Sequence, residues 1–599
     1  MTGLDASHLW QEARAAFHLL EMVATPAERY PNLPALFFSR DGIAHQALTW
    51  GALWQSSLQV ADRLTLRGLA PGTPVLVVAP TSPTFFTAFF GILAAGGIPV
   101  PIAPPPSRRP SRLEWYTATL ASIVTDAQIR VAVTSSDLES TLTDCARCRG
   151  LRLIVIAADG AMPGRARVLS GPTRRRHQAH PGDLALLQYT SGSTDHPRGV
   201  ALTHRNIIAN LGLIADAIVT PTSSAVSWLP LHHDMGLLGA ALTALFTRRA
   251  ALLLPPQSFA RDPAVWLRAI GAFRATITLA PSFAFAHTVR SVTADDIADV
   301  SLDSLRTVLN GAEPVDVSAI EAFETAFASR GLARDIVRPV YGLAETALAV
   351  TFSDAGPCII EDVDADALER RGHAMPVGLA PATAASPVRT RRLVSVGRPL
   401  PTQQVRIVDR EDGEQPERTV GEVAVRGPSV MTGYYNRPAD TGVALRGGWL
   451  HTGDLGYMAD GRLFLTGRLK DLIIRHGRNY DPADVESIVT RIEGVAVGGA
   501  AAFAAEGGVP RVVVVVETRL RQAEALNALR RRITESCHDG LLFGPDDVRL
   551  VPRGTIPRTT SGKVRRGECR RLYLEDALPS ILAESDISAR PGRSAEELE

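Results

Sequence analysis

Apolar residues follow two rhythms along the chain. Short unbroken runs such as VLVVA (75–79), LRLIVIAA (151–158), VRIVD (405–409) and GEVAVRG (421–427) predict strands. Between them apolar positions recur at helical spacing, so the chain reads as an α/β protein. The stretch from Val75 to Pro106 carries no charge and is long enough to suggest a membrane span, but Pro80, Pro83, Gly96, Gly97 and Pro99 interrupt it. It reads instead as strand, helix and strand: VLVVA, a helix capped by Ser82 with Pro83 at its first position and Gly96 at its end, then IPVPI (98–102). Both strands are apolar throughout, which predicts a buried βαβ unit and no transmembrane segment.

From about Gly467 the texture changes to a strand DLIIRHG, a helix DPADVESIVTRI, a strand RVVVVVE, a helix from Arg521 to about Glu535, and a basic tail. These predict a compact α+β unit over 468–599 after a large domain over 1–467, with the boundary between Arg468 and Asp471. The Pro/Arg-rich segments 104–112 and 171–183 read as solvated loops. No fixed-period repeat is visible, which excludes solenoids and propellers.

At 599 residues the chain exceeds what one core ordinarily serves, in keeping with two domains. A net charge of +1 provides no global basic field for nucleic acid or an anionic membrane. The N-terminal residues lack the apolar run and cleavage site of a signal peptide. Cys145, Cys148, Cys358, Cys537 and Cys569 are too few and scattered for a disulfide framework, which points to a reducing cytoplasm. Cys145 and Cys148 are spaced as CxxC, but no further pair of zinc ligands stands nearby.

Candidate chemistry begins with a scarcity. Of 63 basic residues only Lys470 and Lys563 are lysines, and Lys563 lies in PRTTSGKVRR (557–566). An ammonium is a compact charge on a flexible stem, whereas a guanidinium is a broad planar fork, so a lysine kept here suggests a vertex that arginine does not fit. A second signal is LALLQYTSGSTDHPRGVALTHRN (184–206), an apolar strand running into a Thr/Ser/Gly loop. Small residues allow close approach of a ligand, and hydroxyls with exposed N–H groups suit phosphate oxygens.

YTSGSTDHPRGV (189–200) resembles the phosphate-binding signature of the adenylate-forming superfamily, and SWLPLHHDMGLLGA (227–240) is similar to its fatty acyl-AMP ligase branch. NGAEPV (310–315), YGLAETALAV (341–350), GWLHTGDLGYM (448–458), GRLKD (467–471) and PRTTSGKVRR follow in the family's order, so the resemblance runs from about residue 20 to 575. It implies a large domain of stacked α/β sheets with a small β-barrel part, and a smaller mobile α+β lid. It also implies a reaction in which a fatty acid carboxylate attacks the α-phosphate of ATP, with Mg²⁺, giving acyl-AMP and pyrophosphate.

The resemblance further assigns roles. Lys563 would bridge the acid, the α-phosphate and the ribose, and Glu345 would coordinate Mg²⁺. Thr190, Ser191, Gly192, Ser193, Thr194 and Arg198 would hold phosphates. Gly311, Ala312, Glu313, Tyr341 and Gly342 would line the adenine, with Leu343, Ala344 and Thr346 completing that nucleotide motif. Asp454 would accept both ribose hydroxyls, Arg468 would reach the ribose or phosphate, and His233 would lie near the reacting carboxylate. Lys470 would be the hinge. Other readings stand beside these: Tyr341 and His233 also suit core positions, Asp454 and Arg468 also suit a salt bridge between domains, and Lys470 also suits plain surface. Asp195 and Arg198 stand where the superfamily commonly has Gly and Lys, which implies altered loop mobility rather than lost ATP binding. The apolar stretches LLGAALTALF and APSFAFAH suit an acyl tunnel or simply core.

The acyl acceptor separates close relatives. The segment 351–392 is longer and looser than a βα connection needs and resembles the insertion of acyl-AMP ligases, thought to restrain the small domain. That favours transfer to the phosphopantetheine arm of an acyl carrier protein over transfer to CoA. SLDSL (301–305) contains the triplet of carrier proteins but reads as a helix start, so the carrier is expected to be a separate protein. A catalytically silent nucleotide-binding homologue is the alternative from another class, against which Glu345, Asp454 and Lys563 argue.

Overall fold

The computed structural model describes residues 16–105, 110–159, 177–190, 197–377, 389–505, 511–558 and 563–581. Ser191, Gly192, Ser193, Thr194 and Asp195 lie outside the described residues, as does part of the 351–392 segment.

The expected βαβ unit is present. Pro74–Val78 and Ile98–Pro101 pair in parallel in a four-stranded sheet, joined by the helix Pro83–Ala94, whose Phe85, Phe86, Phe89 and Phe90 are fully enclosed. Its cap differs from expectation. The Ser82 hydroxyl donates to the Pro80 carbonyl (3.1 Å) and bonds no helix N–H, because the following Pro83 already removes one of the donors a cap would satisfy.

A nine-stranded sheet forms the centre of the large domain. Its inner strands Pro34–Phe38, Ala250–Leu253, Ser224–Ser227, Ile277–Ala280, Thr307–Asn310 and Val337–Gly342 run parallel, and antiparallel strands close both edges. Strands buried on both faces explain the continuously apolar runs. Leu184–Thr190, Arg198–Thr203 and Gly433–Tyr434 make a three-stranded sheet that brackets the phosphate-type loop. Five further antiparallel strands between Gln404 and Arg468 form the small sheet that holds Asp454.

After Arg468 the chain builds an α+β unit with its own core. Its sheet orders Val495–Ala505, Arg511–Thr518 and Asp547–Pro552. The helix predicted from Arg521 to about Glu535 spans Ala523–Leu541, because Leu526, Leu529, Ile533, Cys537 and Leu541 continue one buried stripe. SLDSL is a turn rather than a helix start. Leu302 and Leu305 are both buried in the core there, and the turn leads directly into the strand Thr307–Asn310. The 351–392 segment is less loose than its sequence suggests, for it contains the helix Ala365–Arg371 and the paired strands Ile360–Asp364 and Thr390–Val394. No described helix is long and apolar enough to cross a membrane.

One buried amide ties the helix His204–Ile218 to the loop that carries Glu345. Asn210 Nδ2 donates to the carbonyls of Thr346 (3.2 Å) and Ala349 (2.9 Å), and its Oδ1 accepts from the Ala349 N–H (3.0 Å). Replacing it by leucine removes the amide partner of the Ala349 N–H and carbonyl, each loss costing about 1–3 kcal/mol, while the Thr346 carbonyl keeps the Leu348 N–H (2.8 Å). Denaturant unfolding of Asn210→Leu is therefore expected to show a loss of at least about 2 kcal/mol.

Candidate active site

A cavity of about 1930 Å³ opens between the large domain and the C-terminal unit. Thr190, Arg198, His233, Gly311, Ala312, Glu313, Tyr341, Gly342, Leu343, Ala344, Glu345, Asp454, Arg468, Lys470 and Lys563 all line it, gathered from segments almost 400 residues apart. Thr346 does not line it: its hydroxyl donates to the Leu343 (2.9 Å) and Leu348 (3.1 Å) carbonyls and holds the turn. Gly342 makes that turn possible, since a Cβ there would lie 1.8 Å from the Leu348 carbonyl oxygen.

Asp454 is nearly buried and doubly bonded. Tyr341 Oη donates to its Oδ2 (2.8 Å), and Arg468 Nε donates to its Oδ1 (2.8 Å). Tyr341 ends a strand of the nine-stranded sheet, whereas Asp454 and Arg468 face each other on the adjoining strands Trp449–Ala459 and Arg462–Arg468. The ion pair thus lies within one sheet, at its last residue before the C-terminal unit. Burial, then the Asp454 charge, holds the Tyr341 phenol well above its ordinary range, so it remains a donor. Each carboxylate oxygen has a second lone pair, which leaves acceptor capacity for two ribose hydroxyls.

Lys563 projects into the same region. Burial lowers its pKa, while Asp234, Glu313 and Asp454 favour its charged form and Arg468 opposes it. Three residues later Arg566 makes a fork to Glu486 with two 2.7 Å bonds, fixing the segment that presents the lysine. Glu313 accepts from the Phe283 N–H (2.7 Å), and burial raises its pKa. Ala312 beside it adopts φ +73, the left-handed region, a strained turn of the kind that clusters at functional sites.

His233 Nδ1 lies 3.4 Å from Asp234 Oδ1, which also accepts from the Met235 N–H (2.7 Å). Burial pushes Asp234 up, but the bond to His233 and the charges of His233 and Lys563 leave it below its ordinary value. The helix that follows, Met235–Leu242, is wound as a π-helix, a form common at functional sites. Gly239 on it faces Leu279 and Leu348, and with Leu309, Val340 and Phe352 these give the cavity part of its apolar lining.

Three features escaped the sequence reading. Tyr434 donates from Oη to Glu345 Oε1 (2.8 Å), and the Arg198 guanidinium lies 4.4 Å from its ring centroid. Its repeated neighbourhood in TGYYNRP gives no chemical cue. Gln188 donates to the His232 carbonyl (2.7 Å) at the cavity wall. Charged groups of the 351–392 segment also meet the C-terminal unit: Arg478 bonds Asp366 (2.5 Å) and Glu369 (3.1 Å), Arg389 bonds the same two carboxylates, and Arg391 lies 3.0 Å from Asp484. Among the described residues no group of three or more His, Cys, Asp or Glu side chains could form a metal cage.

The AMP-binding enzyme family matches residues 23–435. The chain is 35% identical over 588 residues to the long-chain-fatty-acid–AMP ligase FadD26 of Mycobacterium marinum, covering 92% of this chain and 96% of that one. It is 34% identical to a 4-hydroxyphenylalkanoate adenylyltransferase of the same organism, covering 94% and 92% respectively. A solved structure from work on fatty acyl-adenylate ligases of E. coli and L. pneumophila superposes with a TM-score of 0.86 at 31% identity, covering 94% of this chain and 99% of that one.

Two buried histidines set a pH dependence. Burial pushes both His204 and His232 down from 6.5 to about 3. The unfolded chain takes up these protons first, so the associated stability is complete above about pH 6.5 and is lost as pH falls towards 3, at roughly 1.4 kcal/mol per unit for each. His204→Asn keeps an acceptor for the Leu19 N–H and removes the titration. Urea unfolding between pH 7 and 5 is expected to show an average stability slope smaller by roughly 1 kcal/mol per unit in the variant, because the unfolded histidine is only partly protonated near pH 6.5. With cavity, motifs and relatives in agreement, the chain belongs to the AMP-binding enzyme family and, within it, to the fatty acyl-AMP ligases.

Proposed function

We propose that this protein activates a fatty acid with ATP as fatty acyl-AMP, releasing pyrophosphate, and passes the acyl group to the phosphopantetheine thiol of a separate acyl carrier protein. The observation that carries this reading is the convergence of Lys563, Asp454 and Glu345 on one cavity that Leu279, Leu309, Val340, Leu348 and Phe352 also line. In the first step an acid oxygen bonds to the α-phosphorus and the bond to the β-phosphate oxygen breaks. Charge accumulates on the phosphoryl oxygens, and fixed cations facing it lower the barrier. Lys563 supplies such a charge where acid, phosphate and ribose meet, and Asp454 fixes the ribose. His233, oriented by Asp234, positions the acid, while Thr190 and Arg198 hold phosphates. Gly311, Ala312, Glu313 and Tyr341 enclose the base.

Glu345 suits Mg²⁺. One carboxylate, with the nucleotide phosphates and waters completing an octahedron, is how this ion is commonly held. Bound there, the ion would neutralise the charge of the leaving pyrophosphate. In the second step the carrier thiol forms the C–S bond, and the acyl C–O bond to AMP breaks.

One observation favours a carrier over CoA and a hinge at Lys470. The ion pairs of Asp366 and Glu369 with Arg478 and of Arg391 with Asp484, with the Arg389 hydrogen bond to the Gly540 carbonyl, tether the 351–392 segment to the unit beyond Lys470. A tether restrains the swing that a second half-reaction needs, so a weakly held free acceptor such as CoA gains less than a docked carrier. Five free cysteines fit a cytoplasmic setting.

Purified protein with ATP, Mg²⁺ and a panel of fatty acids is expected to accumulate acyl-AMP, seen by mass spectrometry, that free CoA does not consume and a pantetheinylated carrier does. Efficient acyl-CoA formation would support the CoA ligase instead. Lys563→Met is expected to slow adenylate formation roughly 10²–10³-fold while ATP still binds. An unchanged rate would remove the lysine from the chemistry.

A further inference from the structure

Arg198 and Glu345 reach the cavity from different layers of the fold. Arg198 begins the strand Arg198–Thr203, just after the phosphate-type loop, and Glu345 sits in the one-turn helix Ala344–Thr346 that joins two strands of the nine-stranded sheet. One side chain touches both. Tyr434 is 7% exposed and lies on a strand whose partner in register is Val200, two residues from Arg198. The next N–H, that of Tyr435, donates to the Gly199 carbonyl (2.8 Å), so the backbone on which the phenol stands is bonded to the arginine's own strand.

We infer that Tyr434 is a positioning residue for adenylate formation: its ring carries the Arg198 guanidinium and its hydroxyl holds the Glu345 carboxylate, which fixes the spacing between a phosphate-binding cation and a metal-binding anion. The inference rests on the roles given to Arg198 and Glu345 above. Arg198 Nε is buried without a hydrogen-bond partner among the described residues, so the aromatic face supplies orientation that a bond to Nε does not. A flat guanidinium can stack over a ring along its whole plane, which an ammonium cannot, and this gives a physical reason for arginine at position 198. The hydroxyl is equally specific. It donates 2.8 Å to Oε1. Phenylalanine would preserve the ring contact and lose only the bond to Glu345, which makes the two functions separable.

The test uses the full chain with Tyr434→Phe, Tyr434→Leu and Glu345→Gln, the melting temperature of each being recorded. Tyr434→Phe is expected to raise the Mg²⁺ concentration for half-maximal acyl-AMP formation about tenfold, the loss of one bond to a charged group, with the KM for the fatty acid unchanged. Binding of the Mn²⁺ complex of α,β-methylene-ATP, followed by electron paramagnetic resonance, is expected to weaken by a similar factor. In the Glu345→Gln background the same tyrosine change is expected to have much less effect. Tyr434→Leu is expected to add a rise in the KM for ATP through Arg198. Wild-type metal dependence and Mn²⁺ affinity in Tyr434→Phe would overturn the inference, as would an equal penalty in the Glu345→Gln background. If the wild-type protein forms no acyl-AMP, the reading of its function fails, while the Mn²⁺ arm still decides the role of Tyr434.

Discussion

A carboxylate taken out of water has to be paired, and the architecture turns on how Asp454 is paired. One oxygen meets the hydroxyl of Tyr341 at the end of the nine-stranded sheet, and the other meets Arg468 at the last residue of the small antiparallel sheet. Arg468 is half exposed and pairs with Asp454 inside one sheet, so the contact that joins the two sheets is the Tyr341 hydrogen bond to the buried carboxylate, of a kind worth about 1.5–3 kcal/mol. The C-terminal unit begins immediately after Arg468, and Lys470 and Lys563 lie in the same cavity wall. A single ion pair therefore links the proposed ribose site to the point from which the smaller unit departs.

Around that pair the site is an arrangement of opposed charges rather than a chain of proton donors. Lys563 is flanked by Asp234, Glu313 and Asp454, and Arg468 stands close enough to oppose it. Burial costs each of these groups, and their mutual attraction offsets the cost only in fixed geometry. The fork of Arg566 to Glu486 and the bond from Phe283 to Glu313 supply that geometry. A phosphoryl transfer asks little else of a protein, because its barrier falls chiefly through placement and fixed charge.

The sequence disclosed elements whose pattern was local. The βαβ unit at 74–101 and the strand Arg511–Thr518 stand out as apolar runs with clear ends. Val495–Ala505 carried no such signal, since VAVGGAAAFAA is mostly small residues and gains strand form from pairing with Arg511–Thr518. SLDSL misled because Leu302 and Leu305 suit a helix start as well as a buried turn. For the site, motifs marked Asp454, Glu345 and Lys563, yet their spacing in sequence says nothing of Tyr434, which reaches Glu345 across 89 positions. For 351–392 the resemblance already implied a restraint on the small domain, but not which side chains make it, since Arg478 and Asp484 stand far along the chain from Asp366 and Arg391.

The most direct test is calorimetric titration with a non-hydrolysable fatty acyl-sulfamoyl adenosine, a mimic of acyl-AMP. One tight site per chain, weakened at least about 100-fold by Asp454→Ala, is the expected result, since both ribose hydroxyls would lose a charged acceptor. Absence of binding, or binding indifferent to Asp454→Ala, would contradict the placement of the adenylate in this cavity.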